Sequence, residues 1–114
     1  MIKIEIQRQN NRITYFEIKG HADFSGFGED VICAAVSSVG QMTINGLIET
    51  LKLQKKLEYV EKDGLITCDL KDSELTDDEL EKADILIESM YSYLKAVARS
   101  YSEFVKLEEK IENK

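Results

Sequence analysis

At 114 residues, 43% of them hydrophobic, the chain is long enough to bury a core of its own, which excludes a disordered segment. Its formal net charge of -7 argues against a nucleic-acid-binding protein, which needs a basic footprint, and favours basic partners. The first ten residues lack the apolar block of a signal peptide, and we expect no membrane span. The expected compartment is therefore the cytoplasm, where both cysteines stay reduced.

The first elements predicted along the chain are two strands joined by a tight turn. Every second residue from Ile2 to Ile6 is an isoleucine, and this alternation is typical of a strand with one buried face. Residues 9–11 contain two asparagines, which favour a turn. A second strand follows over residues 12–19, and a glycine-rich loop is expected over 20–29.

The middle of the chain predicts a helix and a hairpin. Apolar residues spaced three or four apart indicate an amphipathic helix over about 31–52. Two short β-type runs follow, at 57–61 and 65–70. The pair Asp63-Gly64 between them is a strong signal for a two-residue hairpin turn.

The last predicted element is a long helix over residues 77–109. Thr76 and Glu79 make a capping box at its start. Such a helix would be about 50 Å long and would overhang a domain of this size, whose radius of gyration is about 13 Å. Such a helix either breaks or packs its end on a partner. Because apolar residues such as Tyr101 and Phe104 lie near its end, we favour the second and predict a homodimer.

The element order is therefore strand-strand-helix-strand-strand-helix. The simplest fold is α+β: a two-layer sandwich with both helices on one face of a single sheet. No linker or repeat divides the sequence, so residues 1–114 are expected to form a single domain.

The candidate chemistry lies between the only histidine and the first of two cysteines, His21 and Cys33. Asp30 is expected to be the N-cap of the helix, so that Cys33 lies in its first turn. The partial positive charge there stabilises a thiolate, and unpaired backbone N–H groups can hold an oxyanion. His21, at the end of a strand, suits proton transfer, and Ser37 shares the helix face of Cys33.

The loop between the two candidates carries Phe24, Gly26, Phe27 and Gly28. Its glycines allow it to move as a lid over a bound substrate. The two phenylalanines either line a pocket for aromatic side chains or anchor the loop on the core.

Each of these residues also has a purely structural interpretation. Cys33 can be a small apolar core residue, Asp30 only a cap, and Ser37 a helix residue bonded to the backbone. Cys68, inside a predicted strand, is expected to be inert core. One histidine and two distant cysteines do not make a metal-ligand set, so we expect neither a metal nor a cofactor.

The block from residue 20 to 37 resembles the signature of a known family. Gly20-His21-Ala22, then Gly28, then Asp30-Val31-Ile32-Cys33-Ala34-Ala35-Val36-Ser37 are similar to the Prp family, the ribosomal-processing cysteine proteases. The resemblance extends over the whole chain in length and element order.

This resemblance implies a cysteine endopeptidase that removes the N-terminal extension of large-subunit ribosomal protein twenty-seven, cutting after a pair of aromatic residues. By position, Cys33 would be the nucleophile and His21 the general base, with Asp30 and Ser37 as supporting polar residues. Family members are homodimers, and their substrate is thought to order the loop between the histidine and the cysteine.

The leading hypothesis is thus a Cys–His endopeptidase. An alternative from another class is a non-enzymatic dimeric adaptor that binds ribosomal components. A third is a redox-sensing thiol at Cys33, although no resolving cysteine is evident.

Overall fold

In the computed structural model, the described residues 1–20, 28–71 and 73–112 form one five-stranded sheet covered by two helices. In chain order the elements are β1 (Ile2–Gln9), β2 (Arg12–Lys19), α1 (Glu29–Asn45), β3 (Glu58–Lys62), β4 (Leu65–Asp69), α2 (Asp77–Ser100) and β5 (Val105–Glu112). The strand order is β3-β4-β2-β1-β5, and only the β1–β5 pair is parallel. The α+β prediction is confirmed.

The central strands follow the alternation in the sequence. Ile2, Ile4 and Ile6 are almost fully buried and face the helices, whereas the residues between them are directed to the opposite, more solvent-exposed face of the sheet. The turn from β1 to β2 has positive φ at both Asn10 (52°) and Asn11 (68°), the left-handed geometry that asparagine tolerates. These two strands and their asparagine turn are as predicted, except that β1 extends to Gln9, which was placed in the turn.

The hairpin of β3 and β4 is also confirmed, with small shifts of its bounds. Gly64 has φ of 79°, which is why a glycine follows Asp63 in this turn. β3 begins one residue later than predicted, and β4 ends one residue earlier.

Helix α1 lies close to the sheet. A Cβ atom added at Gly40 would lie 2.7 Å from Cδ1 of Ile18, so a larger residue there would require the ends of the Ile18 and Ile66 side chains to move. The helix continues beyond Asn45 as a π-helical turn, Gly46–Thr50, so the helical stretch ends close to the predicted boundary.

By length and composition alone, the segment Glu29–Thr50 is apolar enough to cross a membrane, with a mean hydropathy of 1.5. We expected no membrane span, and this segment passes a length-and-composition test that core helices of soluble proteins also pass. The fold accounts for the hydropathy in part, because Val36, Gly40, Ile44 and Leu47 pack against the sheet and α2. The remainder lies on the outer side of the helix.

Helix α2 begins as predicted but ends earlier. Its capping box is complete: Thr76 Oγ1 accepts from the Glu79 N–H at 3.2 Å, and Glu79 Oε1 accepts from the Thr76 N–H at 2.9 Å. The helix stops at Ser100, and the remaining residues turn back to form β5 along the free edge of β1. The prediction of a helix to residue 109 was wrong, because pairing with the edge of β1 outweighs the continuing helical spacing.

A network of ion pairs and hydrogen bonds joins β5 to β1 and α2. The Arg8 guanidinium on β1 donates to Glu88 of α2, at 2.9 Å from Nη2, and to Glu109 of β5. The Tyr91 hydroxyl donates to Glu109 at 2.9 Å. The overhanging helix end from which we predicted a dimer does not exist: Phe104 packs against the core and Val105 is buried, although Tyr101 is still 45% exposed.

Candidate active site

Cys33 lies in the first turns of α1, at the end of the sheet where β1 begins and β2 ends. Its side chain is half-buried and packs against the core from the helix. Because side chains on a helix lean toward its N-terminus, the thiol is directed toward the turn that starts α1. Cys33 is thus the cysteine with access to solvent, and it stands beside a helix N-terminus.

The cap of this helix differs from the prediction. Gly28 is the N-cap, with φ of 92°, and because glycine has no side chain, no side-chain hydrogen bond caps the helix. Asp30 is exposed in the first turn, where its Oδ1 accepts from the Val31 N–H at 2.9 Å. The prediction that Asp30 caps the helix was wrong by two residues, because glycine provides the left-handed geometry with which the chain enters the helix. The prediction that Cys33 lies in the first turn was wrong for the same reason: it is the fifth residue of the helix, one turn beyond its start.

The helix start still has the donors that the chemistry needs. The first helical hydrogen bond runs from the Ile32 N–H to the Gly28 carbonyl at 3.2 Å. The N–H groups of Glu29 and Asp30 therefore have no acceptor within the helix, and the helix dipole adds partial positive charge. An anion close to this turn is favoured.

Glu29 is a residue at the site that sequence reasoning missed. It is only 8% exposed, and its Oε1 accepts from the Met1 amino group at 3.1 Å. This ion pair ties the first turn of α1 to the beginning of β1. Its only sequence signal is an acidic residue in the first turn of a helix, which does not identify the partner.

Gly20, the residue before His21, is held between two other segments. Its N–H donates to the Gly64 carbonyl at 3.0 Å, and its φ is 124°. A Cβ atom at this position would lie 2.4 Å from the Met1 carbonyl oxygen, so no other residue fits without a shift of the backbone. The structure thus fixes the point from which the candidate histidine leaves β2.

Ser37 follows Cys33 by one helical turn and lies at the edge of a cleft of about 430 Å³. Ser37 and Gln41 form one wall, and the hairpin residues 61–66 form the other. The cleft was not expected, because it depends on the approach of the β3–β4 hairpin to α1, which no local pattern encodes.

Four of the predicted site residues lie outside the residues that the structure describes: His21, Phe24, Gly26 and Phe27. Their assigned roles stay predictions. Of the predicted loop residues, Gly28 is described, and it forms the N-cap of α1.

Cys68 differs from Cys33 in its surroundings. It is fully buried in β4, and burial, together with the neighbouring Asp69 carboxylate, raises the pKa of its thiol to about 12. A thiol in this state is a poor nucleophile at neutral pH. Among residues 1–20, 28–71 and 73–112, no three His, Cys, Asp or Glu side chains are placed to hold a metal ion.

Comparison with known proteins gives consistent matches along the chain. The model of the family described as cysteine protease Prp matches residues 1–106. The ribosomal processing cysteine protease Prp of Bacillus subtilis is 32% identical over 104 residues, which cover 90% of this chain and 92% of that protein.

Solved structures agree with this fold. SMU.848 from Streptococcus mutans is 28% identical with a TM-score of 0.77, over 98% of this chain and 96% of that chain. The Staphylococcus aureus protease Prp, crystallised with a substrate peptide, is 22% identical with a TM-score of 0.76, over 96% of this chain and 100% of that chain. At this identity the second likeness concerns the fold, but the family model and the B. subtilis relative go further: the chain belongs to the Prp family of cysteine proteases.

Proposed function

We propose that this protease removes the N-terminal extension of large-subunit ribosomal protein twenty-seven, with Cys33 as nucleophile and His21 as general base. The observation that carries the proposal is the contrast between the two thiols. Cys33 is half-buried beside a helix N-terminus, whereas Cys68 is buried in the sheet. The relatives named ribosomal processing proteases support the substrate class.

The proposed reaction proceeds in two halves. His21 takes the thiol proton, and the Cys33 sulfur attacks the scissile carbonyl carbon while N–H groups at the start of α1 hold the oxyanion. His21 then protonates the leaving amine, and the C–N bond breaks to give a thioester. Water, deprotonated by His21, attacks the thioester carbonyl, and the thiol is released with its proton.

Two crystal structures of the S. aureus protease support a covalent route. One contains a substrate peptide, and the other a covalently linked product peptide. For this chain, the same class of chemistry requires a thiol with access to a peptide, and the location of Cys33 meets this requirement. Asp30 and Ser37 are proposed as supporting polar residues, Asp30 at the helix start and Ser37 one turn beyond Cys33.

The test is cleavage of the purified precursor of ribosomal protein twenty-seven under reducing conditions, followed by intact-mass analysis. We expect loss of the extension with the wild type and with Cys68→Ala, and no cleavage with Cys33→Ala or His21→Ala. An unchanged precursor mass with the wild type, or cleavage by a purified Cys33→Ala protein, would contradict the proposal. We propose the cytoplasm as its compartment, where the thiol stays reduced.

We also propose that the chain functions as a homodimer, whose interface is the outer side of α1 instead of the C-terminal end predicted from the sequence. Val31 and Met42, about three helical turns apart on the outer side of α1, are 64% and 67% exposed. No charged residue occurs in α1 between them. Two copies with a net charge of -7 each repel one another, so an uncharged apolar helix face is the most favourable place for contact.

Sedimentation equilibrium tests the dimer. We expect Met42→Glu to dissociate it, whereas Ile111→Glu, which changes an equally exposed residue (65%) at the end of β5, leaves it intact. A monomeric wild type at 100-fold the enzyme concentration used in the cleavage assay would refute the dimer. Dissociation by Ile111→Glu alone would refute the proposed surface.

A further inference from the structure

The cleft beside Ser37 has walls of different chemistry. Ile2 and Ile18 line its apolar base, and Ser37 and Gln41 give it a neutral polar wall. The opposite wall is the turn of the β3–β4 hairpin, and it carries the charged side chains of the cleft. At about 430 Å³, the cleft is large enough for a few side chains of a peptide.

The register of the sheet directs one carboxylate into this cleft. Glu61 of β3 pairs with Ile66 of β4, and Ile66 pairs with Ile18 of β2. Residues in register across neighbouring strands lie on the same face, so Glu61 shares the helix-facing side of the sheet with these two isoleucines. Glu58 on the same strand lies on the opposite face, paired with Asp69.

Glu61 is exposed, and it makes no hydrogen bond or ion pair with another residue in the described part of the chain. The neighbouring Lys62 points to the opposite face of the strand by alternation, although part of it borders the cleft. Glu61 is therefore an anionic group at a concave site, with its charge available to a ligand.

The distance from Cys33 relates this cleft to the substrate. Along α1, Ser37 and Gln41 lie about 6 and 12 Å from Cys33, at 1.5 Å per residue. An extended peptide advances about 3.3 Å per residue, so its side chains reach the cleft roughly two to four residues from the scissile bond.

We propose that the cleft binds the segment of the peptide substrate that flanks the scissile bond, and that Glu61 pairs there with a Lys or Arg side chain. This inference rests on the proposed protease function and adds a specificity-determining residue to it. An ion pair with access to solvent discriminates by at most about fivefold, the factor that corresponds to ~1 kcal/mol. Its effect also falls with added salt.

The test is a panel of peptide pairs that share one cleavage sequence. The two peptides of a pair differ at a single position, where one carries Lys and the other the uncharged Gln, and the pairs place this change in turn at each of the four positions on either side of the scissile bond. The enzymes are the wild type, Glu61→Gln and Glu61→Lys, with Glu58→Gln as the matched control from the other face of β3. The readout is kcat/KM at low salt and in 0.5 M NaCl.

We expect the wild type and Glu58→Gln to prefer Lys over Gln by about two- to fivefold at one position, and salt to weaken this preference. Glu61→Gln should cleave both peptides at the rate of the wild type on the Gln peptide, and Glu61→Lys should disfavour Lys. A preference that survives in Glu61→Gln, or an equal loss on both peptides, would overturn the inference while leaving the protease function standing. A wild type that cleaves no peptide would overturn both.

Discussion

Replacing Gly20 with alanine tests whether the close contact between β2 and the beginning of β1 positions His21, the proposed general base. The new Cβ atom would lie 2.4 Å from the Met1 carbonyl oxygen, a separation that real Cβ atoms do not adopt. The backbone must therefore move by roughly 1 Å to restore an ordinary contact near 3.4 Å. Gly28→Ala is the matched control, because Gly28 also has positive φ (92°) but a Cβ there meets nothing within 4 Å.

The expected loss of unfolding free energy has two contributions. A non-glycine residue held at positive φ costs about 1–3 kcal/mol, and both variants carry this strain. In Gly20→Ala the enforced shift also breaks the hydrogen bond from Gly20 N–H to the Gly64 carbonyl, worth about 1 kcal/mol. We expect Gly20→Ala to lower the free energy of unfolding by about 3 kcal/mol, roughly 1 kcal/mol more than Gly28→Ala.

Urea denaturation followed by circular dichroism measures the difference. With a slope of about 2 kcal/mol per molar urea, the midpoint of Gly20→Ala should lie roughly 0.5 M below that of Gly28→Ala. Because His21 follows Gly20 directly, a displacement of about 1 Å should also reduce kcat/KM about 100-fold where the variant is still folded. Equal midpoints for the two variants, or full activity in Gly20→Ala, would refute the reasoning.

Three other predictions concern single residues of the fold. Thr76→Ala should lower the free energy of unfolding by about 1 kcal/mol in urea denaturation, and Thr76→Ser should not, because the serine hydroxyl still caps α2. Hydrogen bonds from Arg8 hold the pKa of Glu109 below its usual 4.5, so this carboxylate stabilises the fold above that pH. The urea midpoints of wild type and Glu109→Gln should therefore differ at pH 7 and converge as the pH falls through the lowered pKa; a constant difference would contradict this. Iodoacetamide at pH 7 should alkylate Cys33 in the folded protein and Cys68 only after unfolding, and equal slow rates for both would count against a reactive Cys33.

The parts of the fold that local patterns encode were predictable. The alternating isoleucines of β1, the paired asparagines after it and the capping box of Thr76 each act within a few residues of themselves. Such features depend on backbone geometry and nearest neighbours, so they form in the structure where the sequence places them.

The C-terminal strand shows where local patterns fail. Residues 101–109 continue the spacing of a helix, yet Val105, Leu107 and Ile111 also alternate as a strand does. The choice between the two is made by the free edge of β1, which offers eight residues of parallel pairing. A contact between segments about 100 residues apart cannot be recognised from either segment alone.

The candidate site shows the same division between chemistry and geometry. The motif from His21 to Cys33 carries the proposed reactive groups, and the described residues on either side of it, Gly20 and Glu29, both contact the beginning of β1. The Met1 carbonyl limits residue 20 to glycine, and the Met1 amino group pairs with Glu29 in the first turn of α1. The Ile2 N–H donates to the Phe104 carbonyl at 2.8 Å, where the chain enters β5. One short segment therefore contacts Gly20 at the end of β2, the first turn of the helix that carries Cys33, and the start of the edge strand β5, three parts of the chain that no local pattern brings together.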